Sequence, residues 1–84
     1  MKSILSLMFI IAVSNSQADS LDAIYKQVIN DSIAKYEIVK RQGDPIEICV
    51  NAGLVTASYL QAKDEKNYNL WKIKEKEDCK KAGL

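Results

Sequence analysis

Cys49 and Cys79 are the two cysteines of an 84-residue chain, and each lies fifteen residues from Asp64. If the chain reverses near Asp64, fifteen helical residues on either side bring the two sulfurs level at the open end of an antiparallel hairpin. Two cysteines allow one intramolecular pairing, so the connectivity carries no ambiguity. A chain this short buries only a small core, and burial set against chain entropy comes out near balance, so a covalent staple is expected. Closing the loop stabilises such a fold by roughly 3.5 kcal/mol in the chain-entropy model, less any strain introduced.

Whether that bond forms depends on the compartment, and the N-terminus speaks to this. Met1-Lys2 is a short positive start, Ile4 to Val13 is an apolar run broken by Ser6, and Ser14-Asn15-Ser16-Gln17-Ala18 is polar. Small residues at minus three (Ser16) and minus one (Ala18) predict signal-peptide cleavage before Asp19, with Ser14 and Ser16 as a weaker alternative site. A spanning helix needs about 20 apolar residues, and this run is too short. A lipoprotein would carry cysteine at the cleavage point, whereas the nearest is Cys49. The expected organisation is a cleaved signal over 1–18 and a single mature helical domain over 19–84, periplasmic or secreted, where a disulfide persists.

Without Lys2 the 12 Lys and Arg of the whole chain fall level with its 11 Asp and Glu. A formally neutral mature chain argues against a nucleic-acid partner, because such affinity comes mainly from neutralised phosphates. The stretch Lys72, Lys74, Glu75, Lys76, Glu77, Asp78 mixes both signs and reads as a solvated helix face.

Three helices are predicted, giving an all-α domain whose antiparallel hairpin is closed by Cys49–Cys79. From Ser20 to Gln42, Leu21, Tyr25, Val28, Ile29, Ile33, Tyr36 and Val39 share one broad stripe. Ser20 is the expected N-cap, Lys40 and Arg41 sit in the last turn, and Gly43 stops the helix. Asn30-Asp31-Ser32 is the weak point, a place for a kink or break. Asp44-Pro45-Ile46-Glu47 then starts a second helix to about Lys63. Ile46, Val50 and Leu60 occupy one side of it and Ile48, Val55 and Tyr59 the other, which marks it as the central, most buried element. Cys49, Gly53 and Ala57 form a small-residue groove for close approach of a neighbour. A third helix, from Glu65 or Tyr68 to Ala82, carries Tyr68, Trp71, Glu75, Cys79 and Ala82 on one stripe, with Leu70 and Ile73 pointing elsewhere.

Chemistry is sparse. Histidine, the commonest general base and metal ligand, is absent. Neither cysteine stands in a Cys-x-x-Cys pair, and no phosphate loop, HExxH or calcium-loop pattern occurs, so no cofactor or metal is expected. Cys49, in the first turns of a helix, is the one position where a reactive thiolate is conceivable. The adjacent carboxylates Asp64-Glu65 and Glu77-Asp78 do not face each other on a helix and read as surface charge. Tyr59, Tyr68, Trp71 and Glu75 are the candidate interface residues, since aromatics anchor contacts and Glu75 one turn after Trp71 favours an exposed stripe.

The junction Ala57 to Asp64, followed by Tyr68 and Trp71, resembles the helix-hairpin chemistry of tetratricopeptide-type arrays, though the chain has room for less than two such repeats. From Cys49 to Gly83, the pattern Cys49-x-x-Ala52-Gly53-Leu54-Val55, Ala57-x-Tyr59-Leu60-Gln61-Ala62-Lys63-Asp64-Glu65, Tyr68-x-x-Trp71-Lys72 and Cys79 resembles small signal-bearing helical proteins encoded by bacteriophages and prophages of Gram-negative bacteria. That resemblance implies the periplasm of an infected cell and action by binding: blocking a second phage, inhibiting a murein hydrolase or delaying lysis.

The reading that follows is a non-enzymatic exported protein that binds another protein of the cell envelope, with no stable membrane insertion after signal cleavage. A small secreted enzyme or redox protein using Cys49 or a carboxylate is the alternative from a different class. A secreted toxin or membrane-active protein is the third.

Overall fold

A computed structural model describes the backbone of residues 2–84 and the side chains of residues 21–84. The expected signal segment, 1–18, and its cleavage site lie outside the residues whose side chains are described. Three helices follow one another: α1 (Lys2–Gln42), α2 (Pro45–Gln61) and α3 (Glu65–Lys81). Helix α2 packs against both α1 and α3, so the hairpin of α2 and α3 leans on the C-terminal half of α1.

The first helix does not begin at Ser20. It runs unbroken from Lys2, and Ser20 is an interior residue of the whole chain. The sequence offers no glycine or proline between Met1 and Gln42 to stop a helix, so the apolar run and the amphipathic stripe join. Nor does Asn30-Asp31-Ser32 interrupt it. The Ser32 hydroxyl donates back to the Ile29 carbonyl at 2.8 Å, satisfying itself within the helix rather than competing for a turn.

Local chemistry sets both reversals. Gly43 adopts φ +84° and returns its N–H to the Val39 carbonyl at 3.2 Å, a left-handed residue closing α1. Asp44 then caps α2, accepting from the N–H groups of Ile46 at 3.0 Å and Glu47 at 3.4 Å, with Pro45 at the first helical position. At the second reversal Lys63 N–H reaches Leu60 O and Asp64 N–H reaches Tyr59 O, both at 3.0 Å. These are the paired bonds of a Schellman ending, with Lys63 at φ 58° where glycine is usual. Asp64 caps α3 by accepting from the Asn67 N–H at 3.2 Å and its side-chain amide at 2.8 Å. Those two bonds hold the Asp64 carboxyl below the ordinary aspartate range. The reversal therefore falls at the residue equidistant from the two cysteines.

The Cys49–Cys79 disulfide closes the hairpin across 30 residues of sequence, with Cα atoms 4.6 Å apart. One turn further along, α3 passes close over Gly53. A Cβ built there would lie 3.2 Å from Glu75 Oε2, so the bare backbone is what admits the carboxylate. Tyr36 from α1 with Ala52 and Val55 from α2 are fully buried, flanked by Ile33, Ile48, Tyr59 and Trp71.

Only half of α2 conforms to the central, buried reading. Ile48, Val55 and Tyr59 face inward, but Ile46, Val50, Leu54 and Leu60 are about half exposed. With two flanking helices and no further packed element among the described residues, the outward sector of α2 has no cover. Leu70 and Ile73 on α3, which their spacing sets apart from the stripe of Tyr68, Trp71 and Cys79, are more than half exposed.

Candidate functional site

The polar centre of the fold is built where α1 meets α3. Tyr36 and Trp71 meet edge to face, ring centroids 5.1 Å apart. The Tyr36 hydroxyl, carried to the α3 side by the α1 stripe, donates to Asp78 Oδ2 at 2.6 Å. Lys74 lies over both rings, its Nζ 5.2 Å from the Tyr36 centroid and 4.8 Å from that of Trp71, while Lys40 approaches Tyr36 from α1 at 5.9 Å. Burial, then the hydrogen bond to Asp78 and the nearby charges of Asp78 and Glu37, pushes the Tyr36 phenol well above the usual tyrosine range.

A phenol held more tightly protonated in the folded state stabilises that state fully below the unfolded tyrosine pKa of about 10, and its contribution is lost as pH rises above that value. Tyr36→Phe, which removes the hydrogen bond to a charged group, should lower stability by about 1.5–3 kcal/mol at pH 7. The gap should close by about 1.4 kcal/mol per pH unit above about pH 10, as the wild-type phenol comes under pressure to ionise. Urea midpoints of both proteins at intervals from neutral to strongly alkaline pH check this. A gap that stays constant would show that the Tyr36 proton is not linked to folding.

The four candidate interface residues separate. Tyr59 and Tyr68 come together on either side of the hairpin tip, where with Leu60, Lys63 and Asp64 they line an open cleft of about 360 Å³. Trp71 is half-buried and packs against the core through Tyr36. Glu75 lies over Gly53 and pairs with Lys72 at 3.6 Å. Both Cys49 and Cys79 are bonded to each other, so in the oxidised protein Cys49 presents no thiolate.

Among the described residues, no cluster of three or more His, Cys, Asp or Glu is placed to hold a metal ion, and no helix is long and apolar enough to cross a membrane. The surface that sequence reasoning missed is the outward row of α2. Its residues were legible as one side of a helix, but a helical stripe looks the same whether a neighbour covers it or not.

Comparison with protein-family models, with curated proteins and with solved structures gives no match to this chain. Its own geometry defines the class: a three-helix domain in which a disulfide-stapled helical hairpin docks on a longer first helix. The disulfide is a mark of an oxidising compartment.

Proposed function

We propose that this is an exported, non-enzymatic protein-binding module, released by cleavage after Ala18 and working in the bacterial periplasm or outside the cell. The observation that carries the reading is the uncovered apolar row of α2. Ile46, Val50, Leu54 and Leu60 recur along one helix face, and Leu60 carries the row into the cleft beside Tyr59 and Tyr68. Contiguous apolar surface rimmed by polar groups is the usual mark of a protein-interaction site, and tyrosines at its end supply rigid anchors. The resemblance over Cys49 to Gly83 extends the proposal to a phage-encoded protein that blocks or inhibits an envelope protein.

A photo-crosslinking residue placed at Val50 in the exported protein tests it. The expected result is one dominant adduct with an envelope protein in cells, lost when Leu54→Glu is added and unaffected by Asp31→Lys on α1. The melting temperature should move little, because Leu54 contributes to association more than to folding. Absence of any adduct from Val50, Leu54 and Leu60 alike would overturn the proposal.

A further inference from the structure

The charges of α3 alternate in sequence but not in space. Glu75 turns inward over Gly53 and Asp78 turns inward to Tyr36, and both are partly buried. Lys66, Lys72, Lys76 and Lys80 are exposed, and the last three recur every fourth residue, which makes them one row along the helix. Lys72 has Glu75 as a partner; Lys76 has lysine four residues to either side of it. Of the carboxylates of α3, Glu65 and Glu77 are exposed, and Glu77 lies on the outer face four residues after Ile73, where exposed lysines outnumber it. The fold has thus made a basic face on a chain whose mature part is formally neutral.

Two large apolar side chains lie beside that row: Ile73 next to Lys76 and Lys80, and Leu70 further round the helix, on the far side of Ile73 from Lys72. Leu70 is 57% and Ile73 is 60% exposed, among the most exposed of the large apolar residues within the helices. Ile73 lies three residues before Lys76 and seven before Lys80, hence beside both on the helix surface. Apolar tips set among flexible ammonium groups suit a surface that offers negative charge above a hydrocarbon layer. Lysine stems can lie along apolar surface while their heads remain in water. Leu70 and Ile73, both a little over half exposed, put apolar tips beside a row of positive charge, the pairing that an anionic bilayer surface offers in one layer.

We propose that the outer face of α3 docks on the surface of a bilayer through anionic lipid headgroups, with Lys72, Lys76 and Lys80 beside the phosphates and Leu70 and Ile73 entering the acyl boundary. The contact is peripheral and lies parallel to the membrane, as for an interfacial amphipathic helix. It uses none of the residues of the α2 row, which lie on another helix.

Sedimentation of the exported, oxidised protein with large vesicles tests this. Vesicles containing about one third phosphatidylglycerol in phosphatidylethanolamine should carry down the protein, and pure phosphatidylcholine vesicles should not. Each lysine near an anionic surface contributes about fivefold in affinity, so Lys72→Glu/Lys76→Glu/Lys80→Glu should lose at least a hundredfold. Raising salt to about 0.5 M, where the screening length is well under 10 Å, should release the protein. Ile73→Ser should weaken binding severalfold at low salt, whereas Lys26→Glu on α1 should leave it unchanged. Unchanged melting curves keep loss of fold from mimicking loss of binding, and Lys→Gln at the same three positions gives a second series without charge reversal. Binding to neither vesicle, equal binding to both, or equal effects of Lys26→Glu and the α3 changes would overturn the proposal. So would lysine-dependent binding to polyglutamate with none to vesicles, which would make the face a site for an acidic protein.

Discussion

Tyr36→Ala should cost about 3–5 kcal/mol, the range for emptying a large aromatic site in a core. Tyr36 is wholly buried, and its ring joins α1 to both hairpin helices: Ala52 and Val55 lie in the same cluster, and Trp71 meets it edge-on. Truncation leaves a cavity that helices tied at both turns cannot readily collapse. It also strips Asp78 of the phenol that donates to it and removes one of the two rings under Lys74. Marginal stability is the rule for small domains, about 0.05–0.15 kcal/mol per residue. Such a loss is therefore comparable to the whole, and thermal unfolding followed by far-ultraviolet circular dichroism should lose its cooperative transition near room temperature. A cost under about 1 kcal/mol would mean that α1 is not anchored on the hairpin as described.

Breaking the staple should come next in size. Cys49→Ala or Cys79→Ala is expected to lower stability by about 2–4 kcal/mol, because the open chain regains the freedom of the loop between them. The position of the bond sharpens the expectation. It joins the first turns of α2 to the last turns of α3, and α3 has no fully buried residue of its own. Without the bond α3 is held by Trp71, the Asp78 contact and the close approach at Gly53, so its C-terminal turns should fray first. Hydrogen exchange in Lys76–Lys81 should accelerate in the variants while that of Ala52–Thr56 follows global unfolding. Melting curves that coincide with and without reductant would show that the disulfide contributes nothing.

Much of this architecture is legible in the sequence. The hairpin followed from the equal spacing of Cys49 and Cys79 about Asp64, and Asp44-Pro45 marked the start of α2 through capping chemistry that acts within four residues. That Tyr68, Trp71, Glu75, Cys79 and Ala82 share one stripe of α3, apart from Leu70 and Ile73, followed from a period of 3.6; that this stripe is partly buried did not, since Glu75 pointed to an exposed one and instead lies over Gly53. The four candidate contact residues were less legible as a group. Shared periodicity put them on neighbouring faces, yet only Tyr59 and Tyr68 share a cleft, because Trp71 packs on Tyr36 and Glu75 lies over Gly53.

The sequence by itself determined α2 and α3, the Gly43 stop and the Asp44-Pro45 start, since each depends on forces acting over a turn or two of chain, and it determined the one possible disulfide because it holds only two cysteines. Only the tertiary structure decided which apolar stripes are covered. Ile46, Val50 and Leu54 have the same helical periodicity as Ile48 and Val55, and they differ only in that α1 and α3 both pack on the other side of α2. It alone joined Tyr36 to Asp78, which are 42 residues apart. And it alone sorted the mixed charges of α3, drawing Glu75 and Asp78 inward to partners on the hairpin and on α1 and leaving the lysine row outside, because what a charge faces depends on the packing of distant segments and not on its neighbours in the chain.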